Sequence, residues 1–408
     1  MNSTARWLSI VGIGESGWED LNGEAKRAIA AAELLYGGPR HLAFVPAPAS
    51  AAVRIPWPSP MAPAVDQILT DYRGKKTITV LASGDPMLYG VGVPLTRDLT
   101  PTEFRVIPQV SAFSLACARL GWPIAETNLI TLVNRPVGQL LRHLYPGQRL
   151  VVFSEDGNTP EMVARRLTEA GYGPSRITVF ESLGGYSEQI TTGFAASWRG
   201  NPCGKLNLTA ILCAADATAR MLPLTSGLPD EAFETDGQLT KREIRAVTLA
   251  RLAPLPNKTL WDVGAGNGSI GIEWMRVHHS CSCIAFETRA DRAARIRLNA
   301  ARLGVPTLKV IEGIAPAAFA GLRAPDVIFL GGSVDDDHLF DACWAALPRA
   351  GRLVANGVTL QSESRLAARQ ALLGGDLVRM MIARTDRIGD SLGWRPMMPI
   401  TQWTVTKP

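Results

Sequence analysis

Short apolar runs closed by Gly-, Pro- or Asn-rich turns alternate with amphipathic stretches along most of this chain. In the first half the pattern predicts strands over 8–13, 77–82, 104–107, 149–153, 177–180 and 206–213. Helices are expected over 23–35, 111–120 and 160–170, the last opened by Thr159, and residues 58–63 read as loop. In the second half strands are expected over 259–263, 282–286, 308–312, 326–330, 351–356 and 377–384. Helices fall over 241–252, 269–276, 291–303 and 360–373, the first capped by Thr240 with Glu243 three residues on, as in a capping box. Such alternation predicts α/β architecture in both halves, with mostly parallel sheets covered on two faces.

A stretch over 222–237, carrying Pro223, Gly227, Pro229 and several acids, separates the halves. It predicts one domain over 1–215, a linker over 216–237 and a second domain over 238–408. The 408 residues suffice for two or three cores. No apolar run reaches the roughly 18 residues needed to span a bilayer. The run from Trp7 to Ile13, broken by Gly12 and followed by Glu15, does not read as a signal peptide, so a cytoplasmic protein with no membrane partner is expected.

Six cysteines are scattered, and Cys281-x-Cys283 is explained by alternation on a buried strand. No second pair or His set completes four ligands, so no metal is expected and the thiols read as reduced. Asp335-Asp-Asp337 reads as helix-opening and capping residues, and His278, His279 and His338 as surface positions. The net charge of +5 comes with 34 Arg against 8 Lys. Arg pairs with carboxylates in a planar, bidentate way, which suits a polycarboxylate ligand. No basic run is interleaved with aromatics, so nucleic acid is not an expected partner.

The most informative stretch is Trp261-Asp-Val-Gly-Ala-Gly-Asn-Gly-Ser269, an apolar strand entering a Gly-rich turn and then a helix. Gly264, Ala265, Gly266 and Gly268 are small enough to let the backbone approach a ligand closely, and Asn267 belongs to the same candidate cradle. Glu287 closes the next apolar run, where a carboxylate accepts hydrogen bonds from a ribose diol. A dinucleotide site would read G-x-G-x-x-G, and an acid beside the turn disfavours pyrophosphate. S-adenosylmethionine fits better, with its ribose at Glu287 and its cationic end near Asp262.

Three clusters in the first half close predicted strands: Val11-Gly-Ile-Gly-Glu-Ser-Gly17, Ala82-Ser-Gly-Asp-Pro86 with Tyr89-Gly90, and Val106-Ile-Pro-Gln-Val-Ser-Ala-Phe113. In this order they resemble the tetrapyrrole (corrin and porphyrin) methylases, whose pattern is V-G-x-G-P-G, S-G-D-P and V-x-P-G-x-S-S. Glu15-Ser16 stands where that pattern has Pro-Gly, and Gln109 where it has Gly. Asn158-Thr-Pro160, Glu181-Ser-Leu-Gly-Gly185 and Glu188-Gln-Ile-Thr-Thr-Gly193 resemble the subfamily that methylates a meso carbon of precorrin-6. The resemblance implies two α/β subdomains with S-adenosylmethionine folded in the cleft between them. Gly84, Asp85, Tyr89, Gly90 and Val91 of the second loop, Ser111 and Ala112 of the third, and the strand around 206–210 would hold it. The first loop and Asp85 would face the substrate.

Thr240-Lys-Arg-Glu-Ile-Arg245, the Gly264 turn, Glu312-Gly-Ile-Ala-Pro316 and Phe329-Leu-Gly-Gly-Ser333 resemble the precorrin decarboxylating methyltransferases, which have a class I Rossmann-like fold. That likeness assigns Thr240, Gly264 to Gly268, Glu287 and Ala315 to a second S-adenosylmethionine site. It turns Gly331-Gly332-Ser333 and Asn356 toward substrate. Fused in this order, the halves resemble bifunctional enzymes of aerobic cobalamin synthesis. The likeness implies methylation of precorrin-6 at C5 by the first half, and C15 methylation with loss of the ring C acetate carboxyl by the second, giving precorrin-8. The substrate would be a tetrapyrrole polycarboxylate and the assembly a homo-oligomer. RNA or protein methylation on the same two folds is the competing expectation, opposed by the missing Asn-Pro-Pro-Tyr motif and basic-aromatic surface.

Overall fold

The computed structural model describes residues 6–199 and 202–408. The chain forms two compact units, Met1–Arg135 with Tyr145–Ala219, and Pro136–Leu144 with Arg220–Pro408.

The first unit opens with β1 (Leu8–Ile13), α1 (Gly23–Ala30), β2 (Leu34–Gly37), α2 (Pro39–Phe44), β3 (Val53–Pro56) and α3 (Ala62–Thr70). β4 (Ile78–Ser83), α4 (Gly92–Thr96), β5 (Phe104–Ile107) and α5 (Ala112–Leu120) follow. The strands form an all-parallel sheet in the order β3-β2-β4-β1-β5. β1 is buried at every position because helices cover both its faces. Val11 and Ile13 pack with Ala25 and Ile29 of α1, while Leu8 and Ile10 pack with Val65 and Ile68 of α3.

Then come β6 (Thr127–Thr131), β7 (Arg149–Phe153), α6 (Thr159–Glu169), β8 (Arg176–Glu181), β9 (Gln189–Phe194) and β10 (Asn207–Leu212). Their order is β6-β7-β10-β8-β9, and only β6 and β7 run parallel. The expectation of a mostly parallel sheet therefore fails for this part. The helix expected over 23–35 also stops early, at Ala30, and Leu34 opens β2 beside β4. The run Ala30-Ala31-Ala32 favours helix locally, but pairing with β4 prevails.

The second unit contains α7 (Arg242–Leu252), β11 (Thr259–Val263), α8 (Ser269–Val277), β12 (Ser282–Glu287), α9 (Ala290–Arg302), β13 (Lys309–Glu312) and β14 (Val327–Leu330). It continues with α10 (Asp337–Ala346), β15 (Arg352–Gly357), α11 (Leu360–Leu373), β16 (Asp376–Met380), β17 (Ala383–Ile388), β18 (Ser391–Pro396) and β19 (Ile400–Thr406). A seven-stranded sheet runs β13-β12-β11-β14-β15-β19-β16, with the first five strands parallel and β19 antiparallel to both neighbours. Alternation along β11 sends Leu260 into a core with Leu249 and Trp274, and Trp261 and Val263 into another with Phe340 and Leu366. The single strand expected over 377–384 is two, and β17 pairs with β18 as an exposed hairpin.

The segment read as a linker is built into this unit from Leu222 onward. Leu228 is fully buried and Phe233 nearly so. Glu273 accepts the N–H groups of Gly227 at 2.6 Å and Leu228 at 3.0 Å. Buried Arg245 donates to Glu273 at 2.5 Å, to Asp230 at 3.2 Å and to the carbonyls of Leu228 and Thr240. The capping box at Thr240 does not form: α7 starts at Arg242 and its N-cap is Lys241. With the N-cap one residue later, Thr240 is outside the box, and the Glu243 carboxylate pairs with Arg384 at 2.6 Å. Among the described residues no helix is long and apolar enough to cross a membrane.

Candidate functional sites

In the first unit the ends of β1, β4 and β5 meet main chain to main chain. Gly84 donates its N–H to the carbonyl of Ile13 at 3.0 Å and accepts from Gln109 N at 3.2 Å. A Cβ on Gly12 would collide with Gly84 O and lie 2.6 Å from Gln109 N. Gly84 has φ +53°, which L side chains rarely adopt.

These loops border a cavity of about 450 Å³. Gly84, Asp85, Tyr89, Gly90, Val91, Ser111 and Ala112 line it as expected, and of the strand expected over 206–210 Leu206 to Leu208 do so. Tyr89 adopts φ +53°, an uncommon conformation for a bulky residue. Its ring meets Phe153 edge-on at 6.3 Å, and the Arg135 guanidinium lies 5.6 Å from the ring centroid. The Ser111 hydroxyl is taken up as N-cap of α5, accepting from Ser114 N at 3.1 Å. Asp85 accepts from Met87 N at 2.9 Å.

Sequence reasoning missed Arg40, His41 and Ser154 on this wall, although it reached Asn207 through the strand around 206–210 and Glu15 through the first loop. Buried polar atoms of His41, Ser154 and Asn207 on this wall lack a protein partner. Such orphaned groups call for a ligand or water. Arg40 and Glu15, 2.9 Å apart, also line the cavity. Tyr36-Gly-Gly-Pro-Arg-His41 carries the punctuation of a strand end and was the available signal. The cavity fits a nucleoside sulfonium: apolar walls at Phe153, Phe180 and Leu183, a glycine-bordered rim, and a carboxylate at Asp85.

In the second unit Gly264, Gly266 and Gly268 have φ of +74°, +60° and +82°, so the turn requires glycine at all three. A Cβ on Gly268 would lie 2.8 Å from Ile296 Cγ2 and one on Gly264 3.3 Å from Gly332 N. At Gly266 the nearest atom would be Gln238 O at 3.6 Å, so this glycine leaves room for a ligand. Buried Glu287 accepts from Gly266 N at 2.9 Å and Arg289 N at 3.0 Å, which fixes the carboxylate beside the turn.

Asp262 does not reach the turn. It is 1% exposed and its Oδ2 accepts from Gly271 N on α8 at 3.0 Å. Alternation puts it on the face of β11 that Leu260 shares, beneath α8. Burial pushes its carboxyl up to about 7, against the Gly271 N–H and reinforced by the charge on Glu287. Asn267 also turns inward, donating to Gln238 O at 2.6 Å, Asp236 at 2.9 Å and Thr235 at 3.1 Å.

Asn356, expected to face substrate, is engaged within the fold. It donates to Thr248 Oγ1 at 3.1 Å and accepts from Gln402 at 2.8 Å. Ser333 has φ +51° on the loop after β14, where Gly331 N donates to Val263 O at 3.0 Å and brings this loop beside the turn. Ala315 is half-buried against the core that holds Trp261 and Phe286. Asp336 caps α10, accepting from Leu339 N at 3.0 Å, and Asp337 pairs with Arg365 and Arg369.

Comparison with known proteins matches each half of the chain to a family. Residues 8–197 match the family model of Tetrapyrrole (Corrin/Porphyrin) Methylases, and residues 231–407 match that of the Precorrin methyltransferase domain. A precorrin-6Y C(5,15)-methyltransferase (decarboxylating) from a Sinorhizobium species is 46% identical over 401 residues, covering 98% of this chain and 96% of that protein. One of the same name from Mycobacterium tuberculosis is 42% identical over 405 residues, covering 98% and 100%. A cobalt-precorrin-7 C(5)-methyltransferase from Salmonella typhimurium is 31% identical over 185 residues, 45% of this chain and 88% of that protein. On this identity over nearly its whole length, the chain belongs to the family of precorrin-6Y C(5,15)-methyltransferases (decarboxylating).

Proposed function

We propose that the chain methylates a reduced tetrapyrrole polycarboxylate of cobalamin synthesis at C5 and C15 and removes the ring C acetate carboxyl as carbon dioxide. The first unit takes C5, and the second, read as a class I methyltransferase domain, takes C15 and the decarboxylation. Each unit holds its own S-adenosylmethionine. One observation carries this reading: two separate glycine-bordered cradles in one chain, in a family whose name counts two methylations and one decarboxylation. The Salmonella relative, named for C5 alone and matching 45% of this chain, supports a division of labour.

S-adenosylmethionine supplies an electrophilic methyl group on a sulfonium. The protein's task is to hold a nucleophilic meso carbon in line with it and to exclude water. In the first cavity the main chain of Gly84 to Val91 and of Ser111 and Ala112 would orient the donor, with Asp85 toward the substrate. In the second unit Gly266 and Glu287 would hold the nucleoside and the loop at Ser333 would meet the macrocycle. Thr240 and Ala315 border that site in this reading, and Asp262 and Asn267 support it from beneath and behind the turn. The conjugated macrocycle takes up the electron pair left by carbon dioxide, so no strong base is required of the protein.

We assign the enzyme to the cytoplasm. We further infer a homo-oligomer, supported by exposed Ile388, Leu392 and Trp394 on the β17–β18 hairpin; light scattering giving a monomer mass would remove that point. The main test is mass spectrometry of the tetrapyrrole product formed with methyl-labelled donor. Two labelled methyl groups gained and one carbon dioxide lost is the expected result, and labelled RNA or protein with an unchanged tetrapyrrole would overturn it.

A further inference from the structure

Arg40 is the one Arg or Lys among the described residues that line the first unit's cavity, and two carboxylates, Glu15 and Asp85, share that wall. Arg40 Nη1 lies 2.9 Å from Glu15 Oε1, while Nη2 donates to Ser83 Oγ at 3.3 Å and lies 3.1 Å from His41 Nε2. Burial, reinforced by the Arg40 charge, lowers the His41 pKa to about 4, so the ring is neutral, and because a guanidinium only donates, the Nε2 that faces Arg40 is the accepting nitrogen. Ser83 Oγ stands 3.0 Å from the same nitrogen. One side of the guanidinium is thus oriented by two neutral acceptors, and Glu15 supplies the compensating charge.

That compensation is replaceable. The Arg40 side chain is 37% exposed and Glu15 only 17%, so an incoming anion reaches the cation more easily than its partner. A guanidinium accommodates an incoming carboxylate through two of its nitrogens. Burial raises the Glu15 pKa even with Arg40 beside it. Glu15 also departs from the methylase motif, which has proline at that position, so the internal carboxylate is a feature of this chain.

We propose that Arg40 binds a carboxylate side chain of the tetrapyrrole, and that Glu15 is the internal carboxylate it gives up when the substrate enters. The inference rests on the first unit acting on a polycarboxylate tetrapyrrole, and adds the residue that holds it. The α-carboxylate of the methyl donor offers the same chemistry. The charged partner of Arg40 is Glu15 on the first loop, and its contact with the second loop is at Ser83, ahead of the Gly84 to Val91 stretch read as the donor's cradle, so the substrate carboxylate is the ligand that this position favours.

The test uses the full chain with precorrin-6Y, reading C5 methylation by product mass and donor affinity by calorimetry. Arg40→Met should raise the tetrapyrrole KM at least tenfold with donor affinity within twofold, and Arg40→Lys should recover part of the loss. Glu15→Gln, which leaves Arg40 without its internal partner, should lower the tetrapyrrole KM several-fold. An unchanged tetrapyrrole KM in Arg40→Met, or a loss confined to donor affinity, overturns the proposal. So does a raised KM in Glu15→Gln, which also decides the matter if Arg40→Met does not fold. Wild-type protein that leaves C5 unmethylated would instead remove the functional reading itself, and that appears before any variant is compared.

Discussion

Alanine placed in turn at Gly264, Gly266 and Gly268 separates the stability of the second unit's turn from its use as a ligand cradle. All three have positive φ, so each alanine costs about 1–2 kcal/mol from backbone conformation alone. At Gly268 the new methyl would also sit 2.8 Å from Ile296 Cγ2 and 3.2 Å from Cγ1, well inside an ordinary carbon contact. Ile296 is fully buried and cannot yield, so overpacking adds roughly 1–3 kcal/mol and brings the total to about 2–5 kcal/mol. Gly264 is intermediate, with Gly332 N at 3.3 Å. Gly266→Ala meets its nearest atom at 3.6 Å and suffers the conformational cost only, yet its methyl enters the space beside Glu287. Urea unfolding followed by tryptophan fluorescence should therefore rank stability as Gly266→Ala, then Gly264→Ala, then Gly268→Ala. Calorimetry should show one of two donor sites lost in Gly266→Ala while the protein remains folded. Gly268→Ala as stable as wild type, or Gly266→Ala folded with both donor sites intact, would refute the reasoning.

Asp262 holds a raised pKa near 7, so the stability that depends on its proton is present below about 4 and lost as pH rises through 7, up to roughly 4 kcal/mol. Asp262→Asn should gain on wild type over that window in urea midpoints, and a pH-independent difference would contradict the assignment. Arg245→Met removes the cation from buried Glu273 and should destabilise the second unit by about 3–5 kcal/mol, seen as an early unfolding transition; a shift under 1 kcal/mol would show Glu273 neutralised by other means. Asp85→Asn should impair turnover at C5 more than donor affinity, and the reverse pattern in paired kinetic and calorimetric measurements would move Asp85 to the donor. Of two fragments, 220–408 and 230–408, both without the Pro136–Leu144 part of the unit, the second also lacks Leu228 and the Gly227 N–H that Glu273 accepts and should unfold more readily by circular dichroism. Equal stability of the two fragments would contradict the packing described.

Elements buried on both faces were the most legible. β1 and β11 are apolar runs closed by glycine, and the loops after β4, β5 and β11, with Gly84, Ser111 and Gly264 to Gly268, were found by their Gly and Pro punctuation. What escaped was decided by distant partners. β2 and α2 were hidden because an alanine-rich run continues a helical pattern past Ala30, and with them Arg40 and His41 were lost. The strand order β15-β19-β16 leaves no periodic trace, since a strand does not state its neighbour or direction. Asn356 looked like a substrate contact after a strand, but its partners Thr248 and Gln402 are 108 and 46 residues away. The direction of Asp262 was recoverable in principle: it lies two residues after Leu260 and shares its buried face.

The packing of 222–240 bears on how this chain tolerates changes of length. Gly227, Leu228, Thr235, Asp236 and Gln238 each make a specific hydrogen bond to α8 or to the Gly-rich turn. Upstream, Ala219 is fixed as well, for a Cβ on Gly171 would lie 2.5 Å from its Cα. What remains is a join of a few residues around exposed Met221. Insertions and deletions that preserve both units should therefore cluster there, whereas a residue added between 227 and 238 would shift the register of contacts behind the Gly-rich turn.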